Sequence, residues 1–345
     1  MIFKLNKKKS ISFSSKPYII AEACINHEGN IKIAKKMIDE AVKAGVSAVK
    51  FQFHVLEDEM LKKTPKSNNF KESLYDTLKR TNLSTKEHIY LKKYCEKKRV
   101  DYLCTPFSFK SADILERDVK LKIFKVGSGE LTNIPLQIHI AKKKFPTIIS
   151  TGMSTMKEVK KTIEIVKKFN RNIAITQCTS SYPCSPKISD IGVIPEYIKR
   201  FKIICGLSDH TNSIYTSIGS IALGARIIEK HFTLNKRAIG PDHASSIEPN
   251  ELKSLVEGCN AVFDARNKYK KIHKEEKEII SWARESVVSK KDINIGEKLD
   301  KKNITVKRPS ANKYEIPASK YFFVLNKKVK RNIKKNMKIK WNQIK

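Results

Sequence analysis

No run in this 345-residue chain approaches the roughly eighteen consecutive apolar residues that a membrane-crossing helix needs. The opening segment, MIFKLNKKKSISFSSKPY, has no apolar block long enough for a signal peptide. The expectation is a cytoplasmic protein with no membrane partner. The seven cysteines include no Cys-x-x-Cys pair, and Cys24, Cys104, Cys178 and Cys205 sit inside apolar runs, which fits buried reduced thiols. Acidic residues are scarce, with 35 Asp and Glu against 70 Lys and Arg, a formal charge of +35. That excess invites a nucleic-acid reading, but it is mostly lysine, spread over nearly every helical pattern, with no motif of interleaved aromatics. Nucleic acid is therefore not expected as a partner, although the field can draw in a small anionic substrate.

What is present is an alternation of short apolar runs with amphipathic stretches. Candidate strands are 18–23, 48–53, 101–104, 122–126, 147–150, 173–177, 203–207 and 225–228, and helical patterns separate them, such as 31–44, 86–98, 155–169, 188–201 and 213–223, with 249–264 after the last. Eight strand–helix units in about 250 residues are the count for a (β/α)8 barrel, whose site lies at the carboxyl ends of the strands. The rival, a doubly wound open sheet, lacks the Gly-x-Gly-x-x-Gly that would follow its first strand.

Polar residues collect at those carboxyl ends. The last two strands lead to His210 and His231, and as a βαβ unit they lie parallel and adjacent, so two imidazoles can converge on one divalent metal. Period two puts Ala48, Lys50 and Gln52 on one face of the second strand and Val49, Phe51 and Phe53 on the other, and Lys125 repeats the inward lysine in the fourth. A lysine inside a strand is costly unless it meets an anion. Two of them, with several hydroxyls and Gly-flanked turns, suit a phosphate or a carboxylate. Glu22, Glu130 and Asp242 are candidate carboxylates for proton transfer or hydroxyl binding.

Beyond residue 270 the pattern changes. Residues 271–284 read as a charged linking stretch and 285–345 as a small β-rich domain with a basic tail, in which Arg308 precedes a proline turn.

The ordered blocks Ile19-Ile20-Ala21-Glu22, Asn26-His27-Glu28-Gly29, Val49-Lys50-Phe51-Gln52, Cys104-Thr105-Pro106-Phe107, Phe124 to Glu130, Ser150-Thr151-Gly152-Met153, Gly206 to Thr211, Glu229 to Thr233 and Gly240-Pro241-Asp242-His243 together resemble the bacterial sialic acid (N-acetylneuraminate) synthase family. The resemblance extends to 285–345, which is similar to the antifreeze-like (SAF) domain of those synthases. It implies an α/β (β/α)8 barrel (1–270) followed by that domain, and a reaction joining phosphoenolpyruvate to an N-acetylated mannose-type sugar and water, with release of phosphate by C–O cleavage and a divalent metal, Mn2+ or Mg2+.

By the same resemblance, His210 and His231 match the metal ligands and Glu22 the acid/base carboxylate. Lys50, Thr105, Lys125, Ser128, Ser150 and Ser208 match phosphoenolpyruvate contacts, and Gln52, Glu130, Tyr182 and Asp242 match residues around the sugar. Arg308 matches an arginine that reaches from one protomer's small domain into the partner's barrel, which implies a domain-swapped homodimer. Three positions depart from the family pattern. Ser180 stands where an asparagine is common, a sugar-contacting asparagine falls at Asn68 or Asn69, and Ser310-Ala311-Asn312 replaces the glycines after Arg308-Pro309. The expected product is N-acetylneuraminate. The alternatives are a related acid such as legionaminate, made from a diacetamido sugar, and a weakened barrel serving as a basic binding protein.

Overall fold

The computed structural model describes residues 1–63, 72–266 and 269–345, so the expected sugar contact at Asn68 or Asn69 lies outside the described residues. The chain divides into two compact units, Met1–Arg266 and Asn267–Lys345. The first begins with a hairpin, β1 (Ile2–Lys4) against β2 (Ser10–Ser12), and continues through β3 (Tyr18–Cys24), β4 (Ala48–Phe53), β5 (Asp101–Pro106), β6 (Phe124–Val126), β7 (Thr147–Ser150), β8 (Ile173–Cys178), β9 (Ile204–Asp209) and β10 (Ile227–His231). Strands β3 to β10 close into a barrel, with β10 paired to β3. Every neighbouring pair is parallel, including β9 with β10. This is the expected (β/α)8 architecture.

Side-chain alternation sorts each strand into two faces. Ile19, Val49, Phe51, Cys104, Phe124 and Ile228 point outward and pack under the helices in the main core. Ile20, Ala48, Leu103, Ile123, Ile148, Ala174, Ile204 and Ile227 fill the barrel interior, where Phe3, Leu5 and Ile11 from the hairpin join them. The amino-terminal end of the barrel is thus apolar and stoppered. One inward position further along, the layer turns polar: Glu22, Lys50, Thr105, Lys125, Ser150, Thr176, Ser208 and Glu229 are all buried.

Helices follow strands with local signals at their ends. Asn30 caps Ile31–Ala44, and capping boxes start Thr85–Lys97 and Met156–Lys167. Three expected elements need their boundaries corrected. The strands expected at 203–207 and 225–228 run on to Asp209 and His231, because their polar residues remain in the ladder: Ser208 and Glu229 line the cleft, while Asp209 pairs with Lys230 and accepts from Thr216 and Ser217 of the next helix. The helix expected from residue 188 starts at Val193, after a separate 3-10 turn at Pro186–Ile188.

The second unit has its own core, including Val287, Ile293, Ile304, Ile316, Val329 and Ile339. It contains the helix Glu276–Ala283 and the antiparallel pair β11 (Ser286–Ser289) and β12 (Ile304–Lys307).

Closure leaves no room at Gly206, where an added Cβ would stand 2.1 Å from the carbonyl oxygen of Ile227. Gly206→Ala is expected to destabilise the barrel by about 1–3 kcal/mol, because the paired strand must move. Gly129→Ala, with nothing within 4 Å of its new methyl, is expected to change stability by less than about 0.5 kcal/mol. Urea unfolding of both variants checks this, and equal losses would contradict the packing described.

Candidate active site

At the carboxyl ends of the strands, four buried charges share one network. Lys50 Nζ lies 3.2 Å from Glu22 Oε2 and 3.3 Å from Glu229 Oε1, and Lys125 Nζ lies 3.6 Å from the same Glu229 oxygen. Hydroxyls take up remaining donors and acceptors: Lys50 donates to Thr105 at 3.2 Å, Lys125 to Ser150 at 2.5 Å, and Ser208 donates to Glu229 at 3.0 Å. Gln52 Nε2 reaches Glu22 Oε1 at 3.5 Å. One oxygen of Glu229 is buried without a hydrogen-bond donor.

The charge states follow from burial and pairing. Burial pushes Glu22 up to about 7; Lys50 pulls it down and Glu229 adds to the rise. Burial also works against the charge on Glu229, but Lys125 and Lys50 outweigh it and hold this carboxyl down at about 2. Lys50 is likewise desolvated, yet its two carboxylate neighbours raise it. Lys125, with only Glu229 beside it and Lys50 nearby, is lowered by burial. Near neutrality two lysines therefore face one full carboxylate and one that is partly protonated. The network has an excess of positive charge, the condition under which a small anion binds.

This network floors a cleft of about 280 Å³, which also takes in Ser128, Ser180, Tyr182 and His210. A second cleft of about 480 Å³ adjoins it, and the two share Gln52, Phe107, Glu130, Tyr182 and His231. The second is markedly less polar on one side, where Ile25, Met60, Leu74 and Leu78 stand. Opposite them, His54 stacks on Phe107 with centroids 4.5 Å apart, bonds Glu59 at 2.9 Å and reaches Gln52 Oε1 at 3.2 Å. Burial raises Glu130 to about 7, with the charge of Glu59 adding to it, and Glu130 Oε2 is buried without a donor.

The two expected metal-binding histidines lie together, ring centroids 5.2 Å apart. His210 Nδ1 is 2.8 Å from the Thr179 carbonyl, which can only accept, so Nδ1 carries the proton and Nε2 keeps the lone pair. His231 is held neutral by burial, with His210 and Lys50 reinforcing that, and its Nδ1 is buried without a partner. Burial works against charge on His210, but Cys178 and the Thr179 carbonyl outweigh it and raise its pKa. With Nε2 deprotonated, the pair beside Asp242 fits a divalent cation.

Of the residues expected from sequence, all but Arg308 line one or both clefts. Arg308 belongs to the second unit. Sequence reasoning assigned no role to Glu229, although period two from His231 puts it on the same inward face. Phe107, His54, Glu59 and Cys24 were also passed over as site residues. The first three are arranged by packing between β4 and the segments that follow β4 and β5, which a linear pattern does not reveal.

A parallel barrel with a buried lysine pair, an adjacent histidine pair and two joined clefts at its carboxyl end defines a class, the barrel enzymes that act on small anions and sugars. Comparison with known proteins narrows it. Residues 37–271 match the NeuB family and residues 284–345 match the SAF domain, and the chain belongs to the NeuB family. It is 37% identical to the N,N'-diacetyllegionaminic acid synthase of Campylobacter jejuni, over 93% of this chain and 98% of that one. It is 34% identical to the human N-acetylneuraminate-9-phosphate synthase, over 71% and 70% of the two chains. The crystal structure of an N-acetylneuraminic acid synthetase from Leptospira borgpetersenii in complex with citrate superposes with a TM-score of 0.74 at 28% identity, covering 81% of this chain and 95% of that one. The chain is a sugar acid synthase of this family.

Two expectations follow. Glu229 is the only carboxylate within 4 Å of Lys125 among the described residues. Glu229→Gln is therefore expected to cost about 3–5 kcal/mol in denaturant unfolding, by leaving a buried lysine without its counter-charge; an unchanged midpoint would contradict the network. The value of about 7 for Glu130 lies above the 4.5 of an unperturbed side chain. The native protein thus keeps a proton that the unfolded chain has released between those pH values, and stability falls as pH rises through that window. Glu130→Gln is expected to remove the fall, its melting advantage over wild type growing from about pH 5 to about pH 8 to the equivalent of about 1–2 kcal/mol.

Proposed function

We propose that this chain condenses phosphoenolpyruvate with an N-acetylated amino sugar and water, giving a nine-carbon 2-keto sugar acid and phosphate. The observation that carries the reading is the cationic Lys50–Glu229–Lys125 network at the barrel mouth, roofed by hydroxyls and opening onto a sugar-sized cleft. Lys50, Lys125, Thr105, Ser150 and Ser208 hold the carboxylate and phosphate, with Ser128 and Ser180 completing the rim. The enol carbon bonds to the aldehyde carbon of the open-chain sugar, water adds at the carbon bearing the phosphate, and the C–O bond to phosphate breaks. Glu22, buried against Lys50 and titrating near 7, is placed to accept and return a proton. A divalent cation, Mn2+ or Mg2+ in the reading from sequence, held by His210 and His231, would supply polarisation of the aldehyde oxygen. Gln52, Glu130, Tyr182 and Asp242 contact the sugar. We also propose 271–284 as a linker and a domain-swapped homodimer in which Arg308 serves the partner's site.

The apolar side of the larger cleft bears on the acceptor. A fully hydroxylated N-acetylmannosamine would leave hydroxyls against Ile25, Met60, Leu74 and Leu78, whereas a 2,4-diacetamido-2,4,6-trideoxy hexose offers methyl groups there. The similarity to the Campylobacter synthase supports the same choice. We therefore place the diacetamido sugar, the precursor of a legionaminate-type acid, ahead of the N-acetylneuraminate precursor.

Phosphate release with Mn2+, offered each acceptor in turn and with EDTA controls, tests both levels. We expect EDTA-sensitive release with a kcat/KM at least about tenfold higher for the diacetamido sugar, the scale set by one or two buried methyl groups. A preference for N-acetylmannosamine would return the product to N-acetylneuraminate. Release with neither acceptor, from folded protein, would favour the binding-protein reading.

A further inference from the structure

Cys24 stands at the point where the register between β3 and β4 shifts, and its φ is +46°, a left-handed conformation that a side chain occupies under strain. The bend turns its thiol out of the ladder toward Asp242, with Sγ 2.8 Å from Oδ2. Sγ, a carboxylate oxygen of Asp242 and a ring nitrogen of His231 all lie within 4.8 Å of one another, and the three residues line the larger cleft. Three donors bonded to one cation at about 2.0–2.3 Å in a tetrahedral or trigonal arrangement stand about 3.3–4.0 Å apart, so the widest of these separations needs to close by no more than about 1.5 Å. The remaining donor at hand is His210, whose ring neighbours that of His231.

We infer that Cys24 is itself a cation ligand, forming with Asp242 and His231, and with His210 adjoining, a mixed sulfur, oxygen and nitrogen site for a soft divalent ion such as Zn2+, Co2+ or Fe2+ in preference to Mg2+. The inference rests on the metal-dependent reading above and changes it at two points. Asp242 serves the cation rather than the sugar alone, and a thiolate selects the softer ions. In the metal-free protein the thiol holds its proton and donates it to Asp242; cation binding releases that proton to solvent. Cys178, the other thiol near the histidines, sits 3.9 Å from His210 Nδ1, the nitrogen already directed at Thr179, and so is not in position to share the cation.

The test is titration of metal-free full-length protein with Co2+ under reducing, oxygen-free conditions, read by absorption. A near-ultraviolet thiolate-to-Co2+ charge-transfer band that saturates with the visible ligand-field bands is expected. It should vanish in Cys24→Gly and persist in Cys178→Ser. Glycine accepts the positive φ without strain, so that variant is expected to fold. Excess Mg2+ should fail to displace the Co2+, whereas Zn2+ should succeed. Ligand-field bands without a charge-transfer band would overturn the thiolate assignment while leaving the histidine site standing. A band lost in Cys178→Ser instead would overturn the role of Cys24. Absence of any Co2+ uptake would overturn this inference and the metal-dependent reading together.

Discussion

The lysine pair at the barrel mouth is bridged by Glu229, which lies between the two and is the only carboxylate within 4 Å of Lys125 among the described residues. An ammonium buried without a counter-charge is costly enough to lose its proton or unfold the chain around it, and Glu229 Oε1 is within reach of both. One carboxylate for two lysines, with Glu22 half-titrated at neutral pH, leaves the site short of negative charge. That shortage is tolerable because the rest of the interior is apolar and stoppered: the hairpin closes the far end and the inward isoleucines fill the middle. Stability from the lower layers thus supports an upper layer with unbalanced positive charge.

The same layering explains how two substrates could be kept in order. The smaller cleft is lined by the charged network, the larger is apolar on one side, and Gln52, Glu130, Tyr182 and His231 stand on the boundary. An anion at the base would build part of the wall that the sugar meets. Glu130 on the boundary, raised by burial, can donate a hydrogen bond near neutrality.

Much of this was legible in the sequence because parallel barrels write their two faces in alternate residues. Ala48-Val49-Lys50-Phe51-Gln52-Phe53 states both at once: Val49, Phe51 and Phe53 pack outward, while Lys50 and Gln52 reach the mouth. His210 and His231 were legible as a pair from the βαβ spacing, and they do lie together. Glu229 was overlooked because the strand was expected to end at Ile228, which made a ladder residue read as part of a loop. Cys24 was legible as a buried thiol but not as a donor, since its direction depends on a bulge that periodicity does not encode. The apolar side of the larger cleft joins Ile25 to Leu74 and Leu78, residues far apart in the chain that only the fold brings together.

Calorimetric binding of phosphoenolpyruvate to metal-free protein, comparing wild type with Lys125→Met, tests the central claim most directly. If the buried lysines are the anion site, wild type binds without metal or sugar, and the variant remains folded but loses at least about a hundredfold in affinity, as expected when a desolvated charge partner is removed. Equal binding by both proteins would contradict it.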